Sequence, residues 1–338
     1  MIELDKLLNE IINKKKESVQ DKIKKIKELE NTPNIGEILF TVIESKLQNI
    51  ITDDNKDKGL HSTIDLIDAL EKENIFLKHQ LKTLANTKTQ NVKTKEVKTI
   101  LNVAIKTVTK TEPIHLIEWG AELEIFDKQG RSYLHTIASD IKNSGILSAV
   151  AEKIIKNAPE LLDHPENTWD KTIIEVETPT MKRGELRTPT HIAAYQGNKE
   201  IFHIFLKNGA NITSTDQKGY APLHCMLATQ NMRIDIFNKY LNHNGPVALL
   251  TADGENMITV IKSSAKRGKY KIDANFYSTV EQILGVAYAN GLKLEIKELN
   301  DFLNDINTKG IITREEFLKE MQLVLQEEFN KSGDSRLC

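Results

Sequence analysis

Two stretches of the chain, TPTHIAAYQGN at 188–198 and APLHCMLAT at 221–229, share a Pro-x-His core. Their prolines, Pro189 and Pro222, and their histidines, His191 and His224, each stand 33 residues apart. Residues of the same types returning at the same offset point to a repeated structural unit before they point to a catalytic site. A chain of 338 residues is too long for one compact core and implies several modules or a solenoid.

In RTPTHIAAYQGNKEIFHIFLKNGANI (187–212), Thr188, Pro189 and His191 are followed by Ala193 and Ala194, then Gly197, an apolar stretch, and Gly209 with Ala210. This resembles the ankyrin repeat over nearly its whole length, with Thr190 departing from the family's Leu. Pro189 suits a first helical turn, where a missing N–H costs nothing. The resemblance implies that the histidine ring bonds to backbone and links neighbouring turns. Small Ala193 and Ala194 let short helices pack closely. Gly197 turns the chain, and Gly209 ends the second helix in a left-handed conformation.

DQKGYAPLHCMLA repeats the pattern with Asp216, Gly219, Pro222, Leu223, His224 and Ala228, although NHNGPVALL replaces the usual Gly-Ala ending. DKQGRSYLHTIA is an earlier unit, with Asp127, Gly130, Leu134, His135 and Ala138 in place and Tyr133 where Pro is expected. Gly120 and Ala121 imply a capping repeat before it, at about 98–122. DGENMITVIKSSAKRG is a degenerate later unit that keeps Asp253 and Gly254 and has Thr259 at the histidine position. The count is about five units. Between Leu162 and Thr188 the connection DHPENTWDKTIIEVETPTMKRGELR is far longer than the repeat needs. TIIEVE alternates and MKRG reads as a turn, so an extended β-hairpin is expected there.

Outside the repeats, residues 1–85 carry helical stripes: Leu4 to Ile12 continued by Val19, Ile23, Ile26 and Leu29, a helix at about 36–51, and a third from about Thr63 to Leu84. A helical bundle or hairpin region is expected. Residues 86–97, NTKTQNVKTKEV, read as a linker, 98–292 as the repeat domain, and 293–338 as a helical, acidic C-terminal segment. The fold class is therefore all-α: an ankyrin-repeat solenoid with one β-hairpin insertion, a helical N-terminal region and a helical C-terminal cap.

Composition excludes several classes of function. Formal net charge is −2, so no global field favours nucleic acid. No stretch is apolar enough for a membrane span, and the charged start of the chain is not a signal peptide. Two cysteines, Cys225 and Cys338, make no disulfide framework, which suits a reducing compartment. Phosphate-loop, GxSxG and HExxH motifs are absent, and the remaining histidines lack ligand spacing. Cys225 beside His224 is adjacent in sequence only, which makes no nucleophile and base. DINTKGIITREEF (305–317) resembles an EF-hand loop through Asp305, Asn307, Gly310 and Glu316. Lys309 sits where an oxygen ligand belongs, so 305–316 reads as a helix-turn-helix end instead.

Ankyrin domains imply protein binding without chemistry, so neither an enzyme nor a cofactor is expected. The expected contacts are the insertion, with Glu175, Glu177, Lys182, Arg183 and Glu185, and turn tips such as Lys128, Arg131, Lys218 and Tyr220. Composition and an acidic C-terminus are similar to ankyrin-repeat proteins of intracellular bacteria of the Rickettsia and Legionella type. That resemblance implies a protein acting in the cytoplasm or, as a secreted effector, inside a host cell. Two alternatives stand beside the adaptor: an activity in the helical N-terminal region, and calcium response through 305–316.

Overall fold

The computed structural model describes residues 2–14, 17–52, 59–76, 78–90, 97–107, 111–127, 129–166, 186–229, 232–266 and 274–290. The expected β-hairpin, the EF-hand-like loop and the C-terminal segment lie outside these residues. The described chain is mostly helical. It divides into two compact units, Met1–Tyr133 with Gly145–Pro159, and Leu134–Ser144 with Glu160–Cys338.

The first unit opens with α1 (Ile2–Asn13) and α2 (Val19–Glu28), then α3 (Ile35–Thr52) and α4 (Leu60–Lys72). The single stripe expected from Leu4 to Leu29 is cut in two. Ser18 caps α2, its Oγ accepting the Asp21 N–H at 3.1 Å while the hydroxyl donates to the Asp21 carboxylate at 2.7 Å. The expected helix at 63–84 is also cut, into α4 and α5 (Lys78–Ala85). Asn74 takes a left-handed φ of 57°, Ile75 N–H returns to Leu70 O at 3.0 Å and Asn74 N–H to Glu71 O at 2.8 Å. This is a Schellman closure with asparagine in the glycine place.

Within 86–97, read above as a linker, the chain enters β1 (Lys88–Gln90), which pairs antiparallel with β2 (Val97–Thr99) in the register Lys88↔Thr99. Then come α6 (Ile100–Thr107) and α7 (Glu112–Glu118). The helices of this unit stack as successive pairs. α1 packs on α3 and α3 on α6, while α2 packs on α4 and α4 on α7. Leu8, Ile12, Leu39, Ile43 and Leu47 fill one layer, and Ile23, Ile64, Ile67, Leu70 and Leu116 fill the other; all are buried. Tyr133, in the proline place of its unit, is buried with its hydroxyl 2.8 Å from Thr99 Oγ1, and burial raises its pKa to about 12.

The next elements are α8 (Tyr133–Ser139) and α9 (Ser144–Asn157). In the second unit, α10 (Pro189–Gln196), α12 (Pro222–Leu227) and α14 (Met257–Lys266) form one row. Alongside run α11 (Lys199–Lys207), α13 (Ile234–Asn242) and α15 (Ala274–Ala289). Within pairs, α10 packs on α11 and α12 on α13. Ala193 and Ala194 of α10 are both buried, and α10 packs closely on α12. Phe202, Phe205, Phe237 and Tyr240 are fully buried in the second row, each contributing on the order of 2–3 kcal/mol by area. Gly197 and Gly209 take φ values of 75° and 85°, as their turning roles require. Among the described residues no helix is long and apolar enough to cross a membrane.

Candidate interaction surface

The turns before the first helices are built by one device. Asp127 Oδ1 accepts the N–H groups of Gln129 and Arg131 at 2.8 and 3.0 Å, and Asp216 Oδ1 accepts those of Lys218 and Tyr220, both at 2.9 Å. In each turn the aspartate N–H also donates to the carbonyl four residues on, Arg131 at 3.1 Å and Tyr220 at 2.9 Å. Gly130 and Gly219 turn the chain at φ 70° and 74°. The later unit keeps the geometry with other residues. Thr251, not Asp253, holds the aspartate place: its N–H donates to Glu255 O at 2.9 Å and its Oγ1 accepts the Glu255 N–H at 3.1 Å. Gly254 keeps the glycine place at φ 75°.

The residues that flank the insertion use the same device. Glu166 N–H donates to Arg187 O at 2.9 Å, the bond that Asp216 makes to Tyr220. Leu186 occupies the glycine place, at φ 55° and 37% exposed. Glu166 and Arg187, on either side of this stretch of sequence, are therefore in direct backbone contact at a turn tip.

Behind the turns lies a row of buried imidazoles. His191 Nδ1 accepts the Thr188 N–H at 3.2 Å, with the Thr188 hydroxyl at 2.8 Å, and His224 Nδ1 accepts the Ala221 N–H at 3.0 Å. A backbone N–H can only donate, so Nδ1 carries the lone pair and the proton is on Nε2. That proton reaches the next turn: His191 Nε2 donates to Tyr220 O at 2.9 Å and His224 Nε2 to Leu249 O at 3.1 Å. His135 Nε2 meets Arg187 O at 2.9 Å in the same manner. Burial pushes the His191 pKa down to about 4, against smaller raising effects of the Tyr220 carbonyl and Asp216, and lowers that of His224. Both nitrogens of each ring are engaged, so neither histidine is available as a metal ligand or general base. Cys225 is buried beside a histidine already satisfied by backbone.

Two residues absent from the sequence reading complete the linkage. Asn198 is fully buried; its Nδ2 donates to the carbonyls of Ala138 and Asp140 at 3.2 and 3.1 Å, and its Oδ1 caps α11. Arg187 Nε lies 3.4 Å from the buried Asp216 carboxylate, and its guanidinium lies 5.2 Å from the Tyr195 ring centroid. An Asn at the start of a second helix is a visible cap signal, but its reach back by about 60 residues is not.

Of the expected contact residues, Lys218 is exposed at its turn tip and Arg131 is half-buried. Tyr220 is half-buried and turned along the row. Its ring lies 5.9 Å from that of His224, and its hydroxyl donates to Glu255 at 2.9 Å. Lys128, Glu175, Glu177, Lys182, Arg183 and Glu185 fall outside the described residues.

With this geometry in view, the ankyrin repeat family model matches residues 185–217. An ankyrin repeat protein of Rickettsia bellii (strain RML369-C) is 28% identical to the chain, in an alignment covering 34% of this chain and 59% of the relative. The chain thus spans less than two thirds of the length of this curated relative. It carries an ankyrin repeat and resembles the ankyrin repeat proteins of Rickettsia.

Proposed function

We propose that this ankyrin-repeat chain is a protein-binding adaptor without catalytic activity, built as a solenoid of about five units. The units run through α6/α7, α8/α9, α10/α11, α12/α13 and α14/α15. The observation that carries this reading is the closure of Glu166 on Arg187. It supports an insertion borne on a turn, because Arg187 at its far end is itself held by His135 and Asp216. A variable segment on a rigid base is the arrangement that protein recognition favours. The partner contacts are assigned to Glu175, Glu177, Lys182, Arg183 and Glu185 on the insertion and to Lys128, Arg131, Lys218 and Tyr220 on the turns. Charges there set specificity and encounter rate more than affinity. The likeness to a Rickettsia ankyrin repeat protein supports a bacterial adaptor, and the proposal extends this to a host protein as partner, with the chain delivered as an effector.

The test is affinity purification from host cells with the full chain and with residues 174–185 deleted, keeping Leu186 and Arg187. A partner captured by the full chain and lost by the deletion, with thermal unfolding unchanged, is the expected result. Equal capture by both would remove the insertion from the binding surface.

A further inference from the structure

At the C-terminal end of α1, two ammonium groups converge on one neutral acceptor. Lys22 Nζ on α2 donates to Ile12 O at 2.9 Å, and Lys46 Nζ on α3 donates to the same oxygen at 3.3 Å. The Ile12 carbonyl is one of the last four of its helix and lacks an intrahelical donor, which explains why it draws cations. It cannot neutralise two of them. Lys22 is only 6% exposed. Glu17, the carboxylate that acts on Lys22, is held through Oε1 by Lys14 and Lys25. The stem of Lys46 runs past Gly59, where an added Cβ would lie 3.9 Å from Lys46 Cε. Gly59 leads into α4, whose N-terminus has no side-chain cap.

Burial and the repulsion of Lys22 bring the Lys46 pKa down to about 8. At about pH 7.5 such an amine is roughly one-quarter neutral, whereas an ordinary lysine is neutral at about one part in a thousand. We infer that Lys46 is a carbamylation site for dissolved carbon dioxide, with Lys22 as the cation that holds the product. The amine lone pair forms the N–C bond, one C=O electron pair moves onto oxygen, and the N–H proton leaves to water. No oxidant or reductant enters. The product carbamate is an anion beside the Lys22 ammonium and near the positive end of α4, so a like-charge pair becomes an ion pair.

The experiment incubates the full chain in 13C-bicarbonate at about pH 7.5, traps carbamates with an alkylating oxonium salt, and reads each lysine by peptide mass spectrometry. From the neutral fractions, label at Lys46 exceeds label at exposed Lys24 in the same molecules by on the order of 100-fold. Lys22→Met, which removes both the repulsion and the counter-ion, lowers the Lys46 label several-fold, and Lys46→Arg abolishes it. Equal label at Lys46 and Lys24, or an unchanged Lys46 label in Lys22→Met, overturns the assignment.

Discussion

Acidification from pH 7 to pH 5 tests whether His191 is held neutral by its two backbone bonds. Protonating the ring would put a hydrogen on Nδ1, directly against the Thr188 N–H. The folded-state pKa of about 4 lies below the ordinary 6.5, so the unfolded chain binds the proton first. The contribution of this group is complete above about pH 6.5 and is lost as pH falls from 6.5 toward 4. With these two values linkage gives a loss of about 2 kcal/mol at pH 5. His224 shifts in the same direction, so the isolating comparison is with His191→Gln, which has no titrating ring there. Urea unfolding of both proteins at each pH is the assay. The wild-type chain should lose about 2 kcal/mol more than the variant between pH 7 and pH 5. An equal loss, or ring resonances of His191 titrating near 6.5 in the folded protein, would refute the buried neutral tautomer.

Four substitutions probe the turns and first helices. The Thr190 hydroxyl is fully buried and finds no hydrogen-bond partner among the described residues, so Thr190→Val should raise stability by about 1 kcal/mol in chemical denaturation. Leu186→Gly relieves a left-handed leucine and should stabilise by about 1 kcal/mol; if Leu186 also touches the partner, the same variant weakens capture. Gly219→Ala places a Cβ 2.2 Å from Ala252 N at φ 74°, whereas Gly254→Ala at φ 75° meets nothing within 4 Å among the described residues. The second should cost about 1 kcal/mol of backbone strain and the first distinctly more, a ranking that thermal unfolding reads directly.

The parts legible in the sequence were those where one residue type has one local use. Pro189 and Pro222 at helix starts and Gly197 and Gly209 at left-handed turns follow from residue chemistry, while His191 and His224 as links between turns follow from the ankyrin resemblance. The parts that were not legible depend on distant partners or on substitutes for the usual residue. Thr251 replaces aspartate by offering one hydroxyl to the same N–H, and Leu186 replaces glycine by accepting strain. Asn74 ends a helix that apolar spacing alone would continue. The pair-on-pair stacking of α1 to α4 leaves no motif, because buried leucines and isoleucines at helical spacing serve a bundle and a stack equally well.

Arg187 serves four partners at once: its carbonyl accepts from Glu166 and His135, and its side chain meets Asp216 and Tyr195. The segment between Glu166 and Arg187 is thus spliced in at a clamped joint. A change of sequence between these two residues touches none of the four contacts. A lineage could exchange that segment wholesale and acquire a new target without relearning how to fold.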